Sequence, residues 1–395
     1  MPGSVRLEPV RTNRDLRRFV TFPWRIYRGD RCWVPPLIGQ QMARLDTRRN
    51  PLWQAADREL WLAWRDGEVV GTIAAIENRP HIEATGELVG FFGFFETVDD
   101  AQVAQALLDQ AARWLAARGL RVMRGPVNGS LTDECGLLLW GHNTRPALLE
   151  GHTPPYYVPL VEGAGFAKSS DSFAYLYTRE DAGGSEAGFP RKLVRAARWV
   201  ERRRSLCLRS ADLSRWDEEI TLAHHLYNGS LRTLPNFSPV PLEEFRAYAA
   251  SFRPFMDPDL ALLAEAEGQP AGFALTLPDI YQALQRVNGR LFPLGWLRLW
   301  WYGRRLDAAS FKILAVLPEY REQGIDALLC VEMARRALAK RYKTLDCSLV
   351  GEDNETMTRI LRRLGARPYR HYRTYERPLC VSGGSDGSPV DCDPG

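Results

Sequence analysis

The chain has 395 residues, 45% apolar and 25% charged, enough for the cores of two globular domains and too mixed for a collagenous or wholly disordered chain. Its 52 basic residues are nearly matched by 48 acidic ones, leaving a net charge of +4, and no nucleic-acid motif appears, so a nucleic-acid partner is not expected. Seven cysteines (Cys32, Cys135, Cys207, Cys330, Cys347, Cys380 and Cys392) are odd in number and lack CxxC spacing, and no HExxH occurs, so a reducing compartment is predicted and a metal site is not.

The N-terminal stretch, Met1 to Phe19, has no apolar signal core. No run of about 18 apolar residues exists anywhere, so no membrane span is predicted and a cytoplasmic protein is expected. Residues 61–74, WLAWRDGEVVGTIA, read as two strands around an Asp-Gly turn. A strand over Leu88–Thr97, a helix over Asp100–Arg118 and a strand over Leu120–Pro126 follow, then a polar loop with Asp133 and Glu134. Glu180 to Gly188 has linker composition, and Arg191–Arg204 reads as a basic helix. Residues 262–275, LLAEAEGQPAGFAL, repeat the first hairpin with a Glu-Gly turn. After them come a strand (Ser310–Leu317), a helix (Gly324–Lys340), a strand (Thr344–Gly351), a helix (Glu355–Leu364) and a final hairpin (Tyr369–Pro378). The tail from Ser382 is rich in Gly, Ser, Pro and Asp and is expected to be disordered.

The two hairpins align Gly67 and Gly71 with Gly268 and Gly272, and Gly165 aligns with Gly365 at nearly the same offset. Two copies of one α/β fold are therefore predicted, each a mixed sheet flanked by helices. The expected organisation is an N-terminal copy over 1–180, a linker over 181–190, a C-terminal copy over 191–380 and the tail over 381–395.

The segment from Ile313 to Leu329 carries the chemistry. An apolar strand ends at Pro318, a short polar loop follows, and Gly324 opens a helix. Unpaired N–H groups and the helix dipole make such a turn a cradle for phosphate, and glycine lets the backbone approach the ligand. Neither a Walker loop nor a dinucleotide fingerprint is present. The stretch resembles motif A of the GNAT acyl-CoA N-acyltransferases, whose pyrophosphate loop reads Arg/Gln-x-x-Gly-x-Gly/Ala. Arg321, Gly324 and Asp326 hold those positions; Asp326 departs from the pattern and should turn from the ligand or cap the helix. The first copy has Phe95-Glu96-Thr97-Val98-Asp99-Asp100 instead, which would repel a pyrophosphate. The whole chain resembles a two-domain bacterial branch of that superfamily. The residues behind this narrower likeness include Phe22-Pro23-Trp24, Gly90-Phe91-Phe92-Gly93, Arg124-Gly125-Pro126 and Tyr372-Arg373-Thr374-Tyr375. Bacterial ceramide synthases, which N-acylate sphingoid long-chain bases, look similar to this branch.

The resemblance implies a sheet splayed beside motif A and acyl-CoA as co-substrate. Direct attack of a primary amine on the thioester is implied, with Leu314 and Val316 holding pantetheine through the backbone. It places Arg321, Glu322, Gln323, Gly324, Ile325, Asp326 and Ala327 around the pyrophosphate and Asn354 beside the cofactor. The tyrosine that protonates the thiolate in many relatives is replaced by Leu361. From the residues themselves, Glu352, at a strand end, and Glu134 are the candidate general bases, and Tyr372 or Tyr375 could supply a proton. Cys135 and Cys347 lack triad spacing, which disfavours a covalent route. Residues 280–306 hold Trp296, Trp300 and Trp301 among Arg286, Arg290, Arg298, Arg304 and Arg305. That composition suits an acyl-chain groove, an anionic membrane surface, or a lid packed on the first copy. The reading is N-acylation of a lipid-like amine. Small-molecule or peptide N-acetylation and a non-catalytic lipid-binding or scaffold protein are the alternatives.

Overall fold

The structure, a computed structural model, describes residues 3–129, 134–178, 180, 206–232, 239–340 and 342–380. The linker expected at 181–190, the basic helix at 191–204, Asp133 and the tail from 381 lie outside them.

Two runs of strands are built alike. In the first, β1 (Arg6–Pro9), β2 (Ala56–Arg65), β3 (Glu68–Asn78), β4 (Val89–Thr97) and β5 (Val122–Gly125) lie side by side, and β6 (Leu137–Trp140) and β7 (Ala167–Thr178) come next in the chain. In the second, β8 (Leu206–Ser210), β9 (Ala261–Ala266), β10 (Gln269–Pro278), β11 (Ala308–Val316) and β12 (Thr344–Gly351) repeat the order, ending with β13 (Arg367–Pro378). The pairs β4–β5 and β11–β12 are parallel; their strand neighbours are antiparallel. Both predicted hairpins form. They turn at Asp66-Gly67 and Glu267-Gly268, where all four residues have positive φ, the backbone that two-residue turns between twisted strands require.

The sheet continues from one half into the other. β13 lies between β5 and β7, and β7 lies between β13 and β12, in one 13-stranded sheet. Each half thus lends its last strand to its counterpart, and the two lent strands pair antiparallel about Ser172 and Tyr372. Arg373 grips Asp171 across this seam with two bonds of 2.7 and 2.9 Å, a bidentate pair of the strong kind. Burial opposes it, yet Arg373, Lys168 and His371 hold the Asp171 carboxyl well below the usual range. The final segment, expected as a hairpin, is a single strand. It has partners on both sides, β5 and β6 against β7, and no glycine at which to turn.

Helices Ala101–Ala116 and Tyr157–Gly163 cover one face of the first half, and Ile325–Ala339 and Glu355–Leu364 cover the same face of the second. The exchange reaches into these cores: Tyr375 of β13 is buried in the first, Tyr175 and Tyr177 of β7 in the second. On the other face of the second half, helices Trp216–Leu231 and Leu242–Phe252 pack on Leu263, Phe273, Ala315 and Leu317.

Candidate active site

After β11 the chain makes a single 3-10 turn, Pro318–Tyr320, then Glu322 and Gly324 take positive φ (59° and 81°) and helix Ile325–Ala339 begins. Gly324 is the N-cap and supplies no capping side chain, so the N–H groups of Ile325 and Asp326, which have no intrahelical acceptor, are left facing the loop. The Asp326 carboxylate turns back and accepts the Ala327 N–H at 2.8 Å. The Arg321 guanidinium donates to the carbonyls of Val316 and Ser230, tying the loop to helix Trp216–Leu231. Gln323 closes it by donating a side-chain N–H to the Glu319 carbonyl at 2.8 Å.

β11 and β12 pair only from Ala308–Thr344 to Phe311–Cys347 and then part. Beyond that point β11 keeps β10 on its other side, with Leu314 opposite Ala274 and Val316 opposite Gly272. The edge carrying Lys312 to Val316 therefore has no ladder partner on the β12 side. Leu314 and Val316, expected to hold pantetheine, lie on this open edge.

At the fork, polar side chains close the gap. Lys312 Nζ donates to Ser348 Oγ at 2.7 Å, Ser348 donates to Asp346 Oδ2 at 2.6 Å, and Ser310 also donates to Asp346. The Tyr369 hydroxyl of β13 is 3.0 Å from Asp346 Oδ1 and 3.2 Å from Glu150 Oε2, a residue of the first half. Beside it the fully buried Arg370 bonds Tyr372 Oη at 2.6 Å, the Gly151 carbonyl at 3.0 Å and His152 Nδ1 at 3.2 Å. Burial, then the Asp346 charge, push the Glu150 carboxyl up to about 8.

The four acid–base candidates from sequence fall in four different places. Glu352 accepts Lys168 Nζ at 2.6 Å and the Asp171 N–H at 2.9 Å; the Lys168 bond holds its carboxyl below the ordinary value, which weakens it as a base. Glu134 accepts from Asn128 Nδ2 at 3.2 Å and from Tyr281 Oη at 3.0 Å, bracing the first half against the second. Tyr372 is buried and donates to the Gly151 carbonyl at 2.9 Å; burial and the Glu150 charge raise its hydroxyl well above 10. Asn354 caps helix Glu355–Leu364 through the Met357 N–H at 3.1 Å. Tyr375 lies apart, bonded to Glu162 at 3.0 Å.

The insert at 280–306 forms two helices, Tyr281–Val287 and Gly295–Gly303. The first is anchored: Ala283 and Leu284 pack with Val34 and Leu148, and Trp24 Nε1 bonds Asn288 at 2.9 Å. The second buries none of its residues. Phe292, Leu294, Trp296, Leu297, Trp300 and Trp301 are exposed, Phe292 by 83%. Arg304 and Arg305 stack on Trp300 and Trp301, 3.9 and 4.2 Å from the ring centroids.

No family model matches the chain. It is 32% identical over 378 residues to the bacterial ceramide synthase of Caulobacter vibrioides, covering 94% of this chain and 97% of that protein. It is 31% identical over 376 residues to Protein YghO of Escherichia coli, covering 92% and 93%. The chain belongs to the family of these proteins. A tandem GNAT protein from the clavulanic acid pathway superposes with a TM-score of 0.56 at 14% identity, over 97% of this chain and all (100%) of that one. A GCN5-related glucosamine N-acetyltransferase region of a fungal β-N-acetylglucosaminidase gives 0.55 at 13% identity, over 95% of this chain and 38% of that one. The fold is tandem GNAT, and the protein is an N-acyltransferase of GNAT type.

In this tandem GNAT protein, sequence reading missed Lys312, Asp346, Tyr369 and Glu150. A signal existed for two of them. Lys312 and Asp346 are lone charges in strands that are otherwise uncharged, SFKILAV and TLDCSLVG, and a charge in a buried strand needs a partner or a task. Glu150 lies in a loop and carries no such mark. Among the described residues no group of three or more His, Cys, Asp or Glu side chains is gathered for a metal, and no helix is long and apolar enough to cross a membrane.

Proposed function

We propose that the chain transfers an acyl group from acyl-CoA to the primary amine of a lipid-like acceptor, a sphingoid long-chain base being the favoured class. The glycine-opened helix at Ile325 suits a pyrophosphate. The open edge of β11 offers backbone N–H groups to pantetheine and to the oxyanion formed when the amine attacks the thioester. Family membership beside a bacterial ceramide synthase supports a sphingoid acceptor. The observation that carries the lipid reading is the exposed aromatic helix Gly295–Gly303 and the arginines around it. Aromatic rings with interleaved arginine suit the boundary between headgroups and acyl chains, where anionic lipid attracts the charge. We place the acyl chain or the lipid amine on this helix and an anionic membrane beneath it.

The test is Trp300→Ala/Trp301→Ala protein, assayed with palmitoyl-CoA and with acetyl-CoA, and by flotation on phosphatidylglycerol vesicles. Each buried aromatic is worth roughly 1.5–3 kcal/mol, so palmitoyl transfer and flotation should fall at least about tenfold while acetyl transfer holds. Equal loss on both thioesters with unchanged flotation would put small-molecule acetylation ahead.

A further inference from the structure

We propose that Asp346, Tyr369 and Glu150 form a proton relay that carries the amine proton from the fork of β11 and β12 into the first half. The proposal rests on the acyl-transfer reading above.

The placement begins with strand alternation. Ala309, Phe311, Leu345 and Cys347 belong to the core under helices Ile325–Ala339 and Glu355–Leu364. Ser310, Asp346 and Ser348, one residue out of step, point to the opposite face. Lys312, at a register shift of β11, joins them through Ser348. The polar set thus stands where the strands part, on the side away from the pyrophosphate loop. An ion pair buried as deeply as Lys312–Asp346, with side chains 8% and 5% exposed, adds little stability that apolar residues could not. Packing alone does not account for it.

The path inward is set by proton count. The Tyr369 hydroxyl lies 3.0 Å from Asp346 Oδ1 and 3.3 and 3.2 Å from the two Glu150 oxygens. It has one proton to donate, so it can bond both carboxyls only if one of them carries a proton and donates it to the tyrosine oxygen. A three-member chain with a movable proton is the consequence. The charged and titratable groups facing Glu150 are Asp346 and Lys312 from β12 and β11 and Tyr369, Arg370 and Tyr372 from β13; Arg370 Nε is 3.6 Å away. Glu150 is also fixed by the Ala147 N–H at 3.0 Å.

In the reaction the amine nitrogen forms its bond to the thioester carbon and becomes cationic. Below about pH 8 Glu150 itself holds the shared proton and the relay is blocked; once that proton is lost, the amine proton passes to Asp346, Asp346 hands it to the Tyr369 oxygen, and the Tyr369 proton moves to Glu150. The C–S electron pair leaves with sulfur, which takes a proton from solvent. Glu150 returns its proton by the same path after product departs. Tyr369 ends unchanged, and no other reactant is needed. The first half thereby takes part in the chemistry although its own loop is unsuited to the thioester.

The experiment measures kcat and KM against pH with palmitoyl-CoA and sphinganine. Wild-type kcat/KM should rise as pH rises through about 8, because Glu150 must be free to accept. Tyr369→Phe should lower kcat roughly 10²-fold or more with the KM for palmitoyl-CoA unchanged. Glu150→Gln should move the acid limb, which loss of packing alone would not do. Infrared spectra at pH 7 give a readout without turnover: a band from a protonated buried carboxyl, lost in Glu150→Gln and shifted in Tyr369→Phe. Variants with native melting temperatures that keep the wild-type rate and limb would overturn the relay. A wild-type protein that forms no product would overturn the acyl-transfer reading beneath it, and the relay with it.

Discussion

The two halves start the same helix in opposite ways. Val98 and Leu317 are equivalent, each donating its N–H to β3 or β10 at 3.1 and 3.0 Å. Between Val98 and the helix at Ala101 stand only Asp99 and Asp100; between Leu317 and the helix at Ile325 stands the whole loop from Pro318 to Gly324. In the first half the Asp100 carboxylate accepts the Gln102 and Val103 N–H groups at 2.9 and 3.1 Å and pairs with Arg65 at 2.6 Å. An anion of the chain's own already sits on that helix dipole. The parallel strands differ likewise. Past β5 the Val127 N–H still bonds the Phe92 carbonyl at 2.8 Å and Asn128 Oδ1 takes the Phe94 N–H at 2.7 Å. A Cβ on Gly93 would lie 2.0 Å from the Val127 oxygen, so the first fork is filled by its own backbone. One fold can thus leave a helix start and a strand edge open or fill both with its own groups, depending on one loop and on the course of the chain past one strand.

The largest effect that would break this comparison is expected at Gly324. Gly324→Asp places a side chain at φ 81° and a negative charge in the cradle, and CoA affinity of the full chain should drop at least about 100-fold by calorimetry, an electrostatic and steric loss of about 2.8 kcal/mol or more. Unchanged affinity would remove the loop from the site. The smallest effect is expected at the matching place in the first half. Asp100→Ala should cost about 1 kcal/mol of stability, as lost N-caps do, seen as a lower melting temperature, and leave CoA affinity as it was. A fall in affinity there would mean that the first half also meets the ligand.

The parts legible in the sequence were local. Asp66-Gly67 and Glu267-Gly268 announce their hairpins because a two-residue turn needs those φ values, and Gly324 announces its loop because the signal lies within a few residues. The exchange of β7 and β13 was not legible, since each strand is written identically whichever neighbour it pairs with, and the choice is made by contacts about two hundred residues apart in the chain. For the same reason the fork cluster escaped notice: Glu150, Lys312, Asp346 and Tyr369 come from separate segments, and only Lys312 and Asp346 look out of place where they stand. Glu352 was attractive because it ends a strand and Asn354 because of the family resemblance, yet their neighbours give them an ion pair and a cap.

The exchange also sets how the division of labour between the halves is tested. A fragment beginning after the linker would lack β7 and leave β12 with an open edge, so the whole chain must be used. The most direct measurement is hydrogen exchange of the full chain with and without palmitoyl-CoA, read by peptide. New protection is expected over residues 312–328, where the open strand edge and the glycine-opened helix lie, and none over 93–103. Protection over 93–103 with none over 312–328 would contradict the assignment of the thioester to the second half.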